Sequence, residues 1–467
     1  MSGLRSAARS ALFTLPALVL AACAGDEPHS KLTARVDAAL APLVEAHEFS
    51  GAVVLLRDGK VVYQRGFGSA NHEARIPFTP ETPGDGGSLA KTLTAAGIWW
   101  LAQEGRIKLD APASDYVPGY PHAGTTVRQL IGHSNGLPWD YAVFDPHFAP
   151  DQPRTTEAML EVVAQHFPQP RFQPGSRFEY SSFGYDVAAL VIEKASGQSY
   201  EEFLDERFFS KLGMQQSYVR PGRFADWPGV RTLGYRWRDG AWVAFDVFDM
   251  EAFRGGSNIY FSAADLGRWG AANAAGTALP AAVYEAGQQH IEVAGQAAHL
   301  TGLNWYCDDA QLRCYYTGDL NAFYSFVYWD RARNESVAFV SNSTLPAWRR
   351  PALARELIDA LADQPVRANV RAQFERFGPE TPAAIAGTYS AADFGPAVLS
   401  AGPEGMRLRI DGGVEYDVFT VAADTIYVPG LDYWLAFTGS PPSAMHLSAL
   451  FVDTVLQRQP DPDAGKP

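Results

Sequence analysis

Gly84–Thr92 reads GDGGSLAKT, a glycine-rich loop that runs straight into Ser, Lys and Thr. Two chemistries compete for it. A phosphate-binding loop needs G-x-x-x-x-G-K-[ST]. Taking Lys91-Thr92 as the K-T pair puts Ala90 where the second glycine belongs and Asp85 where the first belongs. An aspartate inside a nest of phosphate-binding amides is electrostatically wrong. The other reading is S-x-x-K, with Ser88 and Lys91 three residues apart. On a helix such positions share one face, so a hydroxyl and an ammonium can meet. Gly86 and Gly87 clear space in front of the serine. The helix start supplies free backbone N–H groups and the positive end of the dipole for a developing oxyanion. The pattern predicts a nucleophilic serine activated by a neighbouring base.

The whole chain bounds what that loop can serve. Its 467 residues suggest roughly two or three domains. A hydrophobic fraction of 47% and a charged fraction of 19% are ordinary for a globular chain with ample core. A formal net charge of -14 disfavours nucleic acid and anionic lipid as partners. The ten histidines show no H-E-x-x-H or other close ligand spacing, so no metal is expected, and no cofactor either.

The N-terminus reads as an export signal, with Arg5 and Arg9 ahead of an apolar stretch from Ala11 to Ala22. Leu20-Ala21-Ala22-Cys23 resembles a bacterial lipobox, which implies acylation of Cys23 and a membrane anchor. Ala24 and Gly25 follow in place of an aspartate, so the expected location is the periplasmic face of the outer membrane in a Gram-negative cell. Export leaves Cys307 and Cys314, in two aromatic-rich strands around an Asp-Asp-Ala-Gln turn. In an oxidising compartment a disulfide is expected there, with two buried free thiols as the alternative.

The expected organisation is a signal peptide at 1–22, a linker at 23–34, a main domain at 35–365, a linker at 366–382, a small β domain at 383–459 and a disordered tail at 460–467. Asp58-Gly59 between β-branched runs predicts a hairpin. Ser88 to Gly105 reads as a buried helix, and Arg350 onward as a last amphipathic helix packed on the sheet. The Pro- and aromatic-rich stretches 138–176 and 218–255 read as loop insertions at a cleft rim, with Trp139 and Tyr141 at its mouth. Short strands at regular spacing after Ala383 predict a small antiparallel barrel or sandwich, structural or a lip to the cleft.

Three further pieces follow in chain order: His133 in GHSNGLP, Tyr180-Ser181-Ser182 before a helix, and Tyr316-Thr317-Gly318 on a strand. With S-x-x-K they make residues 35–365 similar to the serine β-lactamase-like family of class C β-lactamases, D-alanyl-D-alanine carboxypeptidases, D-aminopeptidases and related esterases. The resemblance implies an α/β (α+β) fold, an antiparallel sheet flanked by helices with an all-helical region. It implies Ser88 as nucleophile, Lys91 as its base partner and Tyr180 as proton relay. The backbone N–H groups of Ser88 and Asp319 would form the oxyanion hole, and Ser182, Tyr316, Thr317 and Gly318 would meet the substrate. His133 is expected in a structural hydrogen-bonding role.

The chain departs from the family at two positions. Ser182 stands where the family has Asn, and Tyr316 where it has Lys or His. Loss of a cation at 316 weakens the case for a carboxylate-bearing β-lactam or D-Ala peptide and favours an ester, unless an arginine such as Arg254 restores the charge. The expected partner is a small ester, amide or peptide. The alternatives are a D-alanyl-D-alanine carboxypeptidase, a D-aminopeptidase or a β-lactamase and, from another class, a catalytically weak binding or sensor protein on the same fold.

Overall fold

The computed structural model describes residues 27–460 apart from 139–140, 222, 224–225, 228–230, 247–251, 309, 347–348, 366–381, 393, 403–404 and 423. The expected signal peptide, Cys23, Trp139, nearly all of the linker 366–382 and the tail beyond 460 lie outside the described residues. The first helix, α1 (Glu27–Glu45), takes in residues expected to be linker. Its buried Leu32, Val36, Leu40 and Leu43 recur at helical spacing, so one face has a core to join.

The hairpin at Asp58-Gly59 forms between β1 (Gly51–Arg57) and β2 (Lys60–Phe67). Both turn residues adopt positive φ, 50° and 69°, as a tight two-residue hairpin requires. A small sheet follows from β3 (Pro83–Asp85) and β4 (Ile259–Ser262), which pair antiparallel. The main sheet continues with β5 (His290–Val293), β6 (Gln296–Thr301), β7 (Tyr306–Cys307), β8 (Arg313–Leu320), β9 (Phe323–Asp330) and β10 (Glu335–Ser341). Its spatial order is β5-β6-β7-β8-β9-β10-β1-β2, all antiparallel. The N-terminal hairpin thus adds to the last strand, with Gly51 opposite Ser341 and Arg57 opposite Glu335. Every residue of β9 and β10 is buried, as expected of strands covered on both faces.

Helix α2 (Ala90–Gln103) starts after a 3-10 turn at Gly87–Leu89 and packs on α3 (Ser182–Ser196). The sheet is covered by α4 (Ala263–Ala274) on one face and by α5 (Arg349–Leu361) and α1 on the other. The period-two alternation of β1 makes this possible. Val54 and Leu56 crowd Gly267 of α4. Arg57, of the other parity, donates to the carbonyl of Leu361 at the end of α5.

The expected loop insertion 138–176 contains a regular helix at Thr156–His166, capped by Thr155, whose hydroxyl accepts from Ala158 N. Cys307 and Cys314 face each other across the β7–β8 pair and are joined by a disulfide.

The C-terminal region is one nine-stranded antiparallel meander. Its strands are β11 (Gly387–Ala391), β12 (Phe394–Gly402), β13 (Gly405–Ile410), β14 (Glu415–Asp417), β15 (Phe419–Ala422), β16 (Thr425–Val428), β17 (Tyr433–Thr438), β18 (Ala444–Ser448) and β19 (Asp453–Arg458). The order β14-β13-β12-β11-β19-β18-β17-β16-β15 pairs the first strand with the last, Tyr389 opposite Arg458. The two edge strands are separated only by Val418, so the sheet curls into a nearly closed barrel. Leu399, Leu408, Leu435, Met445, Leu447 and Leu456 are among the buried side chains that fill it. The barrel packs directly on the main domain. Tyr416 meets Phe178 at 5.2 Å between ring centroids, Phe451 meets Tyr315 at 5.2 Å, and Arg355 of α5 binds Asp453 at 2.8 Å.

Candidate active site

Ser88 sits in the 3-10 turn that opens α2, and Lys91 follows one turn later. The Lys91 Nζ donates to Ser88 Oγ at 3.0 Å and to the carbonyl of Gly256 at 2.6 Å. Lys91 is fully buried, and its Nζ lies 5.1 Å from the ring centroid of Tyr180. The Gly256 carbonyl is itself fixed, because Gly256 N donates to Asp186 Oδ1 at 2.8 Å and the neighbouring Gly255 carbonyl accepts from Thr94 at 2.7 Å.

The loop before Ser88 is held by Asp85, the residue that spoils a phosphate nest. Its Oδ1 accepts from Gly87 N at 2.8 Å. Gly87 has φ +50°, and a Cβ there would lie 2.7 Å from Asp319 N. A Cβ on Gly318 would lie 1.7 Å from the carbonyl oxygen of Gly86. Both glycines are therefore demanded by the contact between the serine loop and β8. That contact brings the backbone of Ser88 and the backbone N–H of Asp319 to one place.

Tyr180 leads into α3, whose N-cap Ser181 accepts from Gly184 N. Its ring stacks on His133 at 4.5 Å and 18°, and its hydroxyl lies 3.2 Å from that of Tyr316. His133 Nδ1 accepts from Ser181 N at 3.1 Å, which leaves the Nε2 hydrogen for Asn304 Oδ1 at 3.1 Å. Burial, and then the charge of Lys91, push the His133 imidazole down to about 3, so it is neutral at physiological pH. It is a prop for Tyr180. Tyr316 is buried, stacked on Tyr306 at 5.3 Å. Burial, reinforced by Tyr180, raises its phenol well above 10, so it is a neutral hydrogen-bonding group.

A cavity of about 250 Å³ opens beside the serine, lined by Ser88, Ser182, Asp319, Tyr141, Phe144 and Phe253 among others. Tyr141 stacks on Phe253 at 4.8 Å, giving one largely aromatic wall. The segments read as cleft rim, 138–176 and 218–255, supply that wall. Of the sequence-level candidates, Ser88, Lys91, Tyr180, Ser182, Tyr316, Gly318 and Asp319 converge here, with Thr317 on the same strand. Arg254 does not join them: it pairs with Glu201 and lies 3.7 Å from Glu193. Two other arginines stand at the site: Arg154 lines the cavity and pairs with Asp145 at 2.7 Å, and Arg350 of α5 pairs with Asp319 and lies over the rings of Tyr324 and Trp434. Sequence reasoning missed Arg350, Asp186 and Asn304, since no spacing rule ties them to the serine.

Comparison with known proteins agrees with the geometry. Residues 36–362 match the family described as Beta-lactamase. Penicillin-binding protein 4* of Bacillus subtilis (strain 168) is 33% identical over 182 residues, 38% of this chain and 39% of that protein. The chain thus spans well under half the length of that relative. The octameric penicillin-binding protein homologue from Pyrococcus abyssi superposes with a TM-score of 0.59 at 22% identity, over 92% of this chain and 99% of its own. A class C beta-lactamase superposes with a TM-score of 0.57 at 20% identity, over 74% of this chain and 99% of its own. These two likenesses concern the fold. With the family matched across most of its length, the chain belongs to the beta-lactamase family of serine hydrolases.

Proposed function

We propose that the protein hydrolyses small esters or amides through an acyl-enzyme on Ser88. The observation that carries this is the buried Lys91 Nζ bonded at once to Ser88 Oγ and to Gly256 O. Ser88 Oγ attacks the carbonyl carbon with Lys91 in its amine form, and the serine proton passes to that amine and through Tyr180 to the leaving oxygen or nitrogen as that bond breaks. Water then repeats the sequence on the acyl-serine. The backbone N–H groups of Ser88 and Asp319 receive the oxyanion.

The charge distribution favours substrates without a carboxylate at the β8 end of the cleft. Tyr316 is neutral, and the nearby arginines are paired: Arg350 with Asp319, Arg154 of the cavity wall with Asp145, and Arg254 with Glu201. An ester is therefore the preferred substrate. Assays of a p-nitrophenyl short-chain ester, a chromogenic cephalosporin and a D-Ala-D-Ala peptide, each beside Ser88→Ala, test this. Ester turnover abolished by the substitution is the expected result. Turnover of the peptide or cephalosporin in preference to the ester contradicts the substrate assignment. Lipid anchoring through Cys23 belongs to the same proposal, supported by the lipobox-like LAAC. It predicts detergent-phase partition of the cell-expressed protein that Cys23→Ser abolishes.

A further inference from the structure

The segment Phe178–Ser181 carries Tyr180 into the site, and both regions of the molecule hold it. In the main domain, His133 takes the two amides that flank Tyr180. Its carbonyl accepts from Glu179 N at 2.7 Å and its Nδ1 from Ser181 N at 3.1 Å. The barrel takes the two residues before Tyr180. Phe178 packs on Tyr416 of β14, and a Cβ on Gly430 would lie 2.7 Å from the Phe178 ring. The Glu179 side chain is buried and gathers three arginines. Arg171 Nε lies 3.0 Å from Oε1, while Arg177 and Arg407 reach Oε2 at 3.0 and 3.2 Å. Arg171 and Arg177 belong to the same stretch of chain, eight and two residues from Glu179. Arg407 comes from β13 of the barrel, 228 residues away. It is also paired with Asp417, its cross-strand neighbour on β14.

We propose that Arg407 is a positioning residue for Tyr180, through which the barrel fixes the proton relay by clamping Glu179. This rests on the reading in which Tyr180 passes a proton to the leaving group. A buried carboxylate is costly unless its oxygens are paired and hydrogen-bonded, so Glu179 stays where its arginines are. The three are not equal. The side chains of Arg171 and Arg177 are 31% and 28% exposed, and that of Arg407 is 11% exposed. Water competes least for Arg407, which makes its pair with Glu179 the firmest of the three. Its planar fork offers Nη2 to Glu179 and Nη1 to Asp417, tying the carboxylate to the β13–β14 pair. The Tyr180 phenol is carried by the next residue. A shift of Glu179 therefore moves that phenol relative to Lys91 and the leaving group, and proton transfer falls steeply with such misplacement.

The test is a double-mutant cycle on phenyl acetate, whose leaving oxygen is basic enough to need the relayed proton. Arg407→Met should lower kcat/KM about tenfold when Tyr180 is present. In a Tyr180→Phe background no phenol is left to position, and the same change should cost less than about twofold. Should Arg407→Met fail to fold because Asp417 is left without its partner, Arg407→Met/Asp417→Asn takes its place in both backgrounds. Leu435→Ala loosens the barrel elsewhere and should leave kcat/KM nearly unchanged. A folded Arg407→Met with wild-type kcat/KM, an equal loss in both backgrounds, or a loss as large in Leu435→Ala overturns the proposal.

A second readout needs no turnover. The amides of Glu179 and Ser181 are bonded to His133, so their hydrogen exchange reports how firmly the segment is held. Followed by mass spectrometry on the peptide that carries them, exchange should be about tenfold faster in Arg407→Met than in the wild type, and unchanged in Leu435→Ala. Exchange as slow in Arg407→Met as in the wild type overturns the proposal. Faster exchange in a protein whose wild type turns over no ester would fail the hydrolase reading and leave the clamp on the Tyr180 segment supported.

Discussion

The main sheet and the C-terminal barrel are both antiparallel, yet they divide their work differently. The barrel interior is filled by apolar side chains such as Leu435 and Met445, and its polar contacts with the main domain include that of Arg407 with Glu179, the residue before Tyr180. The main domain buries a lysine, a neutral histidine and several serines and asparagines along the seam where α2, α3 and β8 meet. Burying a lysine is costly unless its hydrogen bonds are made. Here they are made to Ser88 and Gly256, so the cost is offset at the proposed nucleophile. The difference teaches that apolar packing and the polar seam are placed in separate regions, joined by contacts such as Tyr416–Phe178 and Arg407–Glu179.

That division can be broken by substitutions of graded effect. Ser88→Ala should lower ester kcat/KM by about a thousandfold or more while the melting temperature holds, read by steady-state kinetics and calorimetry. Lys91→Met should cost roughly a hundredfold to a thousandfold in rate. Removing a buried charge in favour of an apolar side chain of similar length should leave the protein melting no lower. A large loss of stability in Lys91→Met would show that the lysine is structural. Tyr180→Phe should cost about a hundredfold in kcat. His133→Asn should cost about tenfold through misplacement of Tyr180. The shape of the pH–rate profile between about pH 5 and about pH 8 should stay unchanged, because an imidazole held near 3 does not titrate there. A lost limb in that window would make His133 a proton carrier. At the far end, Leu435→Ala in the barrel should destabilise by about 2–5 kcal/mol with kcat nearly constant, read by denaturant unfolding.

Much of this was legible in the sequence where the signal is local. The S-x-x-K spacing, the Asp58-Gly59 hairpin, the paired cysteines and the strand rhythm after Ala383 depend on neighbours in the chain, and each of these elements is present. The helix at Thr156–His166 was also written locally, in the cap Thr155 and the apolar Met159, Leu160 and Val163. Proline and aromatic density around it hid that signal. Arg350 is of another kind. It reaches the site because α5 crosses the sheet and brings it to Asp319, and no periodicity in one sequence encodes such a meeting. Arg254 is an ordinary ion-pairing arginine, not a substitute cation at the site: its partners, Glu193 and Glu201, become its neighbours through the packing of other helices.

The central claim is covalent chemistry at Ser88, and intact-protein mass spectrometry with peptide mapping after a rapid acid quench tests it most directly. Mixed with excess short-chain p-nitrophenyl ester, the wild type should gain the mass of one acyl group on the peptide that contains Ser88, and Ser88→Ala should gain none. Ester turnover with no adduct on that peptide, or the same adduct in Ser88→Ala, would contradict the account.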